Sequence, residues 1–83
     1  MFGIFKRAKV IREARKELEN INVDIRITEE SLSLNLEILE KSHNNITAGQ
    51  IAIETKRLDE LKTRRGKLII AAETGVSPEE IKW

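Results

Sequence analysis

Ile11, Ala14, Leu18, Ile21, Ile25, Thr28, Leu32, Leu36 and Leu39 recur at steps of three and four. That spacing returns to one side of an α-helix and predicts a single helical seam from residue 11 to residue 39. A second pattern overlies it. Ile21, Val23, Ile25 and Ile27 alternate with polar residues, as do Leu32, Leu34, Leu36 and Ile38, with Thr28–Ser31 between the runs. Read with period two, residues 21–39 form a β-hairpin. The β-branched run Ile21–Thr28 favours strand, and the Leu- and Glu-rich stretch after it favours helix. The seam is unbroken and a lone two-stranded hairpin is marginally stable. The expectation is therefore a helix over about 5–42, with Ile27-Thr28-Glu29-Glu30 as the place where it would restart if it breaks.

As a helix, this segment carries two apolar faces. Val23, Ile27, Leu34 and Ile38 fall roughly opposite the seam, and a helix apolar on both sides is buried on both sides. A second amphipathic helix follows, with Ile51, Leu58, Leu61, Leu68, Ile69 and Ala72 on one stripe that also contains Glu54 and Arg65. Its start is marked by Thr47-Ala48-Gly49-Gln50, which has the form of a capping box, with Ile46 and Ile51 placed as a hydrophobic staple. Gly75 marks its end. Gly66 is a weak point inside it, costing about 1 kcal/mol against Ala. The same grammar recurs in Val76-Ser77-Pro78-Glu79-Glu80-Ile81, where Ser77 is the expected cap and Pro78 the first helical residue. These signals predict helices at about 48–74 and 78–83.

The turn Lys41-Ser42-His43-Asn44-Asn45 is short enough to fold the two long helices into an antiparallel hairpin. The chain reads as all-α: one helical-hairpin domain over 1–83 with a basic, aromatic-tipped N-terminal segment. The second helix covers only one face of the first. Two hairpins joined through Val23, Ile27, Leu34 and Ile38 make a four-helix bundle, so a homodimer is the expected state.

Composition sharpens this picture. With 83 residues, 35% of them charged, the chain has little core of its own, and association would supply the missing burial. The net charge of +1 conceals blocks of opposite sign. Residues 1–20 carry six basic and three acidic side chains, and residues 21–45 two basic and five acidic. Such blocks suit segments that lie against one another. No apolar run approaches the roughly 18–20 residues that cross a bilayer. Residues 1–10 lack the apolar stretch and cleavage site of a secretory signal, so the cytoplasm is the expected compartment, a host's if the protein is viral.

The chemistry on offer is sparse. There is no cysteine, and the single histidine, His43, lies in the polar turn, where it reads as a solvated residue. Metal sites require several converging ligands, and none is expected. Glu29-Glu30 and Glu79-Glu80 fall in the first turns of expected helices, where the macrodipole favours negative charge. Arg65-Gly66-Lys67 lacks the remaining residues of a phosphate-binding loop. Asn45-Ile46-Thr47 matches the glycosylation pattern but reads more simply as turn plus cap. No nucleophile–base pair is recognisable and no cofactor is expected, so the chain reads as a non-enzyme.

Binding surfaces are better represented. Lys6, Arg7, Lys9, Arg12, Arg15 and Lys16 lie beside Phe2, Ile4 and Phe5, a basic amphipathic start suited to an anionic partner. A hairpin closing near residue 44 sets Arg64, Arg65 and Lys67 beside Arg26, four like charges that repel unless something anionic meets them. Trp83 is either packed or offered to a partner as an anchor. The expected function is a small protein–protein interaction module, a viral or phage-type accessory or inhibitor protein that docks on another protein. Its expected partner surface comprises Lys6, Arg7, Arg12, Arg26, Arg64, Arg65, Lys67 and Trp83. Nucleic-acid binding through the basic patches and peripheral attachment to an anionic membrane are the alternatives. Near-neutral overall charge and the lack of an aromatic reading surface weigh against nucleic acid.

Overall fold

The computed structural model describes residues 2–43 and 45–81, with side chains from residue 5 onward. Helix α1 runs Phe2–Ser42 and helix α2 runs Asn45–Thr74, followed by a single 3-10 turn, Pro78–Glu80. The two helices pack antiparallel into a rod of 61 × 21 × 14 Å, and the turn lies back on α2. No strand occurs among the described residues. The period-two reading of 21–39 gives way to helix because α2 supplies a partner for the period-3.5 seam. Ile21 and Ile25 are buried against it while Val23 and Ile27 are not. The restart at residue 27 is also absent, and α1 is continuous.

The core is a narrow line between the helices. Ala14, Ile21 and Ile25 of α1 meet Leu68 and Ala71 of α2, with Val10, Leu18, Leu58, Leu61, Ala72 and Ile81 packed around them. Leu68 and Ala71 are wholly buried. On α1 the seam follows a heptad, and on the two helices together two expected positions are corrected. Leu36 is 50% exposed, and Asn35, one residue earlier, occupies the seam instead. Ile69 is likewise 44% exposed, and Ala71 takes its place.

Two seam positions on α1 are polar, and each finds a partner. Thr28 is buried with its hydroxyl donating to the Asp24 carbonyl at 2.7 Å. Asn35 donates its side-chain amide to the carboxylate of Glu54, the buried acid of the α2 stripe. A buried carboxylate retained in a seam sets register, because any slip leaves it without its donor.

Both long helices end in the same way. His43 adopts φ 49° and donates its backbone N–H to the Leu39 carbonyl at 2.8 Å. Gly75 adopts φ 76° and donates to the Ala71 carbonyl at 2.8 Å. This is the left-handed cap, which satisfies a carbonyl the helix would otherwise leave open. Glycine is required at residue 75 for a second reason. A Cβ there would lie 2.8 Å from Cβ of Arg7 on α1.

The expected helix starts are corrected. α2 begins at Asn45, so Thr47 lies inside the helix and is not its cap. Ile46 is 83% exposed, and the staple defined about that cap does not arise. The expected helix at 78–83 is the turn Pro78–Glu80, and Ser77 makes no side-chain cap bond. Its hydroxyl donates to the Glu79 carboxylate at 2.6 Å instead. α1 begins at Phe2, three residues before the expected start.

Gly75→Ala is expected to lose about 1–3 kcal/mol in urea unfolding, combining a left-handed backbone with a steric clash. His43→Gly is expected to gain up to about 1 kcal/mol by relieving the same backbone cost. The seam pair should respond asymmetrically. Asn35→Leu strands the Glu54 carboxylate and loses about 1–3 kcal/mol. Replacing both residues with Leu is expected to recover that loss, measured by the same unfolding transition.

Candidate functional site

Two surfaces stand out, and helix periodicity builds both. The first is the outer face of α1. Val23, Ile27, Leu34 and Ile38 recur at steps of four, seven and four, so they align along one side. Because the seam points at α2, that side points away from it. They are 44%, 56%, 58% and 41% exposed. A large apolar side chain exposed singly is ordinary, and here four stand in a row along one face. The hairpin leaves the four side chains expected at the oligomer interface uncovered, as it does Leu36, Ile53 and Ile69.

The second surface is the open end of the rod, where the start of α1 meets the end of α2 and the 3-10 turn. Lys6, Arg7, Lys9, Arg12, Arg15 and Lys16 are all exposed along α1, and Phe5 beside them is 76% exposed. Phe5 is thus not packed beneath the C-terminal segment. Ile81, by contrast, does pack on the core. Trp83 lies outside the described residues, as do the side chains of Phe2 and Ile4.

Of the four like charges expected side by side, Arg64 pairs within the chain. Arg64 is half-buried and meets carboxylates of its own chain: its Nη2 lies 3.2 Å from Glu17 Oε2 and its Nη1 3.3 Å from Glu79 Oε1. Glu17 and Arg26 are nine residues apart on α1, about 13 Å along the axis. Arg26 is exposed, Arg65 and Lys67 are half-buried, and none of the three forms an ion pair among the described residues. At Arg64 the charge is thus answered from within the chain. Lys62 and Glu29, 4.0 Å apart, make a further cross-helix pair on exposed positions.

Around Arg64 lies a cleft of about 150 Å³, lined mainly by Val10, Glu17, Leu68, Pro78 and Glu79. Burial pulls the guanidinium's affinity for its proton down, but hydrogen bonding and charge from Glu17, then from Glu79, outweigh it and leave the pKa raised. The Glu79 carboxyl is held below its ordinary value, first by the Ser77 hydroxyl and a backbone N–H, then by Arg64. The arrangement fastens the C-terminal turn across the open end. It has the form of a structural clip: the carboxylates are committed to Arg64 and Ser77, and the only histidine, His43, sits at the far end of the rod.

Among the described residues, no three His, Cys, Asp or Glu side chains gather as metal ligands, and no helix is long and apolar enough to cross a membrane. What sequence reasoning missed is the Arg64 clip and the Asn35–Glu54 pair. Both depend on cross-helix register, for which the only sequence signal was a charge on each seam or its edge. Compared with known protein families, curated proteins and solved structures, the chain matches none.

The clip has a signed pH dependence. A carboxylate with a lowered folded pKa contributes above its unfolded value near 4.5 and loses that contribution as pH falls through the lower folded one. Acidification from pH 6 to pH 3 is expected to lower the protection of the Ile81 amide, whose N–H bonds the Pro78 carbonyl, relative to the intrinsic exchange rate at each pH. Glu79→Gln should show the low protection already at pH 6.

Proposed function

We propose that this chain is a small, non-enzymatic protein–protein interaction module, of accessory or inhibitor type, that docks through the outer face of α1. The observation that carries this reading is the row of Val23, Ile27, Leu34 and Ile38, aligned on the side of α1 away from α2 and 41–58% exposed. Burying the half of each side chain that is still exposed contributes about 1 kcal/mol each, which over four in a row helps to anchor a partner. The basic start of α1, with Lys6, Arg7 and Arg12, would steer an acidic partner toward that face, a rate effect that salt screens. Arg26, Arg65 and Lys67 are further polar contacts available to the same partner.

A second reading, nucleic-acid binding, draws on the six exposed cations between Lys6 and Lys16. It requires affinity that falls steeply with salt, as phosphate contacts release counterions.

Affinity capture from the native source, with and without nuclease, separates the two. The variant Ile27→Glu/Leu34→Glu is run beside the wild type, with circular dichroism confirming that both remain helical. Capture of a partner that survives nuclease and falls at least tenfold in the variant is the expected result. Equal capture by both proteins refutes the docking face, and loss of all bound material after nuclease transfers the function to the basic end.

A further inference from the structure

We infer that the outer face of α1 takes one long amphipathic helix of another protein, acidic where it lies over Lys6–Lys16 and basic where it lies over Val23–Ile38. This rests on the reading of that face as a docking surface and states the chemistry of its occupant. Period and charge carry it.

From Lys6, steps of three and four alternate without a break through Val23, Ile27 and Leu34 to Lys41. Every residue on this line is exposed, and Ile38 stands beside it. It is a second heptad line on α1, on the side away from the seam. A helix receives another helix along such a line, because side chains at that spacing meet holes that keep step with them. An extended strand rises about 3.3 Å per residue against about 1.5 Å for a helix, and falls out of step at once.

Charge divides the same helix into two blocks. Residues 6–16 carry six cations and one carboxylate, and residues 19–40 carry six carboxylates and one cation. Glu29 faces Lys62 of α2. The other five carboxylates of the second block, and all six cations of the first, enter no ion pair among the described residues. Lys6, Lys9 and Lys16 stand on the outer line in one block, Glu30 and Glu37 in the other.

This polarity selects among partners. A nucleic acid, negative along its whole length, would be held by the first block and repelled by Glu30, about 21 Å further along the same face than Lys16. A second copy of α1 does not meet both blocks and the apolar row together. Laid antiparallel with opposite charges matched, it sets Ile27 and Leu34 over the Lys16 and Lys9 of that copy. With the apolar rows matched instead, carboxylates meet carboxylates. A helix of a different protein can carry its cations and its apolar residues in the same half, with its acids in the other, and so satisfies the whole line.

The experiment reads the occupant's sequence. In an extract of the native source, a photoreactive benzophenone side chain replaces Glu13 in one protein and Lys41 in another. Both positions are exposed and on the line, and neither substitution removes a charge that the inference uses. Mass spectrometry is expected to find two linked segments of one protein, about 28 residues apart as the two positions are on α1, with apolar residues at steps of three and four between them. The segment linked at position 13 should be net acidic and the one linked at position 41 net basic. The stretch between them, made as a synthetic peptide, should bind Glu30→Lys/Glu37→Lys more weakly than wild type by a factor of about ten or more, with circular dichroism showing both proteins helical. Segments of like charge, segments from two proteins or from a second copy of this chain, linkage to nucleic acid, no linkage, or peptide binding unchanged by the charge reversal each overturn the inference. The interaction-module reading survives any of these as long as Ile27→Glu/Leu34→Glu loses partner capture, and falls with the inference if that variant captures normally.

Discussion

A two-helix hairpin has only one interface in which to bury anything, and the heptad seam between α1 and α2 is that interface. Its content is unevenly distributed. Every buried apolar position, Ala14, Ile21 and Ile25 on α1 with Leu68 and Ala71 on α2, lies farther from the turn than Thr28. Toward the turn the seam becomes polar, with Thr28, then Asn35 against Glu54. The two small residues, Ala14 and Ala71, occupy the apolar half, where little side-chain bulk separates the backbones. The polar half contributes less burial and more specificity. A hydrophobic stripe alone tolerates a slip by one heptad, whereas the Asn35–Glu54 pair has one register.

The apolar half also carries the machinery that closes the open end. Gly75 turns the chain out of α2 at a point where Arg7 leaves no room for a side chain. Pro78–Glu80 then crosses back, and Ile81 reaches the core. Arg64 holds this segment from beneath through Glu79 and holds α1 through Glu17. Each exposed ion pair is individually weak. Their shared guanidinium nevertheless joins three elements at one point, and Ile81 adds apolar burial to it.

Much of this was legible in the sequence, and the failures have identifiable causes. The seam periodicity placed Ala14, Ile21 and Ile25 correctly, and the outer row Val23, Ile27, Leu34 and Ile38 emerged from the same spacing. The choice of helix over β-hairpin rested on continuity of that seam, and the helical partner is what realises it. Leu36 misled because hydrophobicity outranked register: the heptad demands residue 35, and Asn is acceptable there only because Glu54 faces it. Thr47 and Ser77 misled because capping grammar reads local backbone alone. The start of α2 is set by the turn that reverses α1, with His43 in the left-handed conformation, and the Ser77 hydroxyl is taken by Glu79. The Arg64 clip joins positions 47 residues apart on α1 and α2, and no local pattern reports such a contact.

The hairpin's geometry also orders its assembly. In a single antiparallel pair, the length of chain enclosed by a contact grows steadily from the turn outward. The Asn35–Glu54 bond encloses a separation of 19 residues, and the Arg64–Glu17 bond one of 47. By logarithmic loop-closure scaling the second contact costs about 0.8 kcal/mol more than the first if each formed alone. Closing from the turn avoids that difference, since each contact shortens the loop left for the next, in the manner of a zipper. The polar, register-defining pair lies where closure is cheapest and is available early. The deepest apolar burial lies where closure is most expensive, so alignment is checked before the contacts that would trap an error are made.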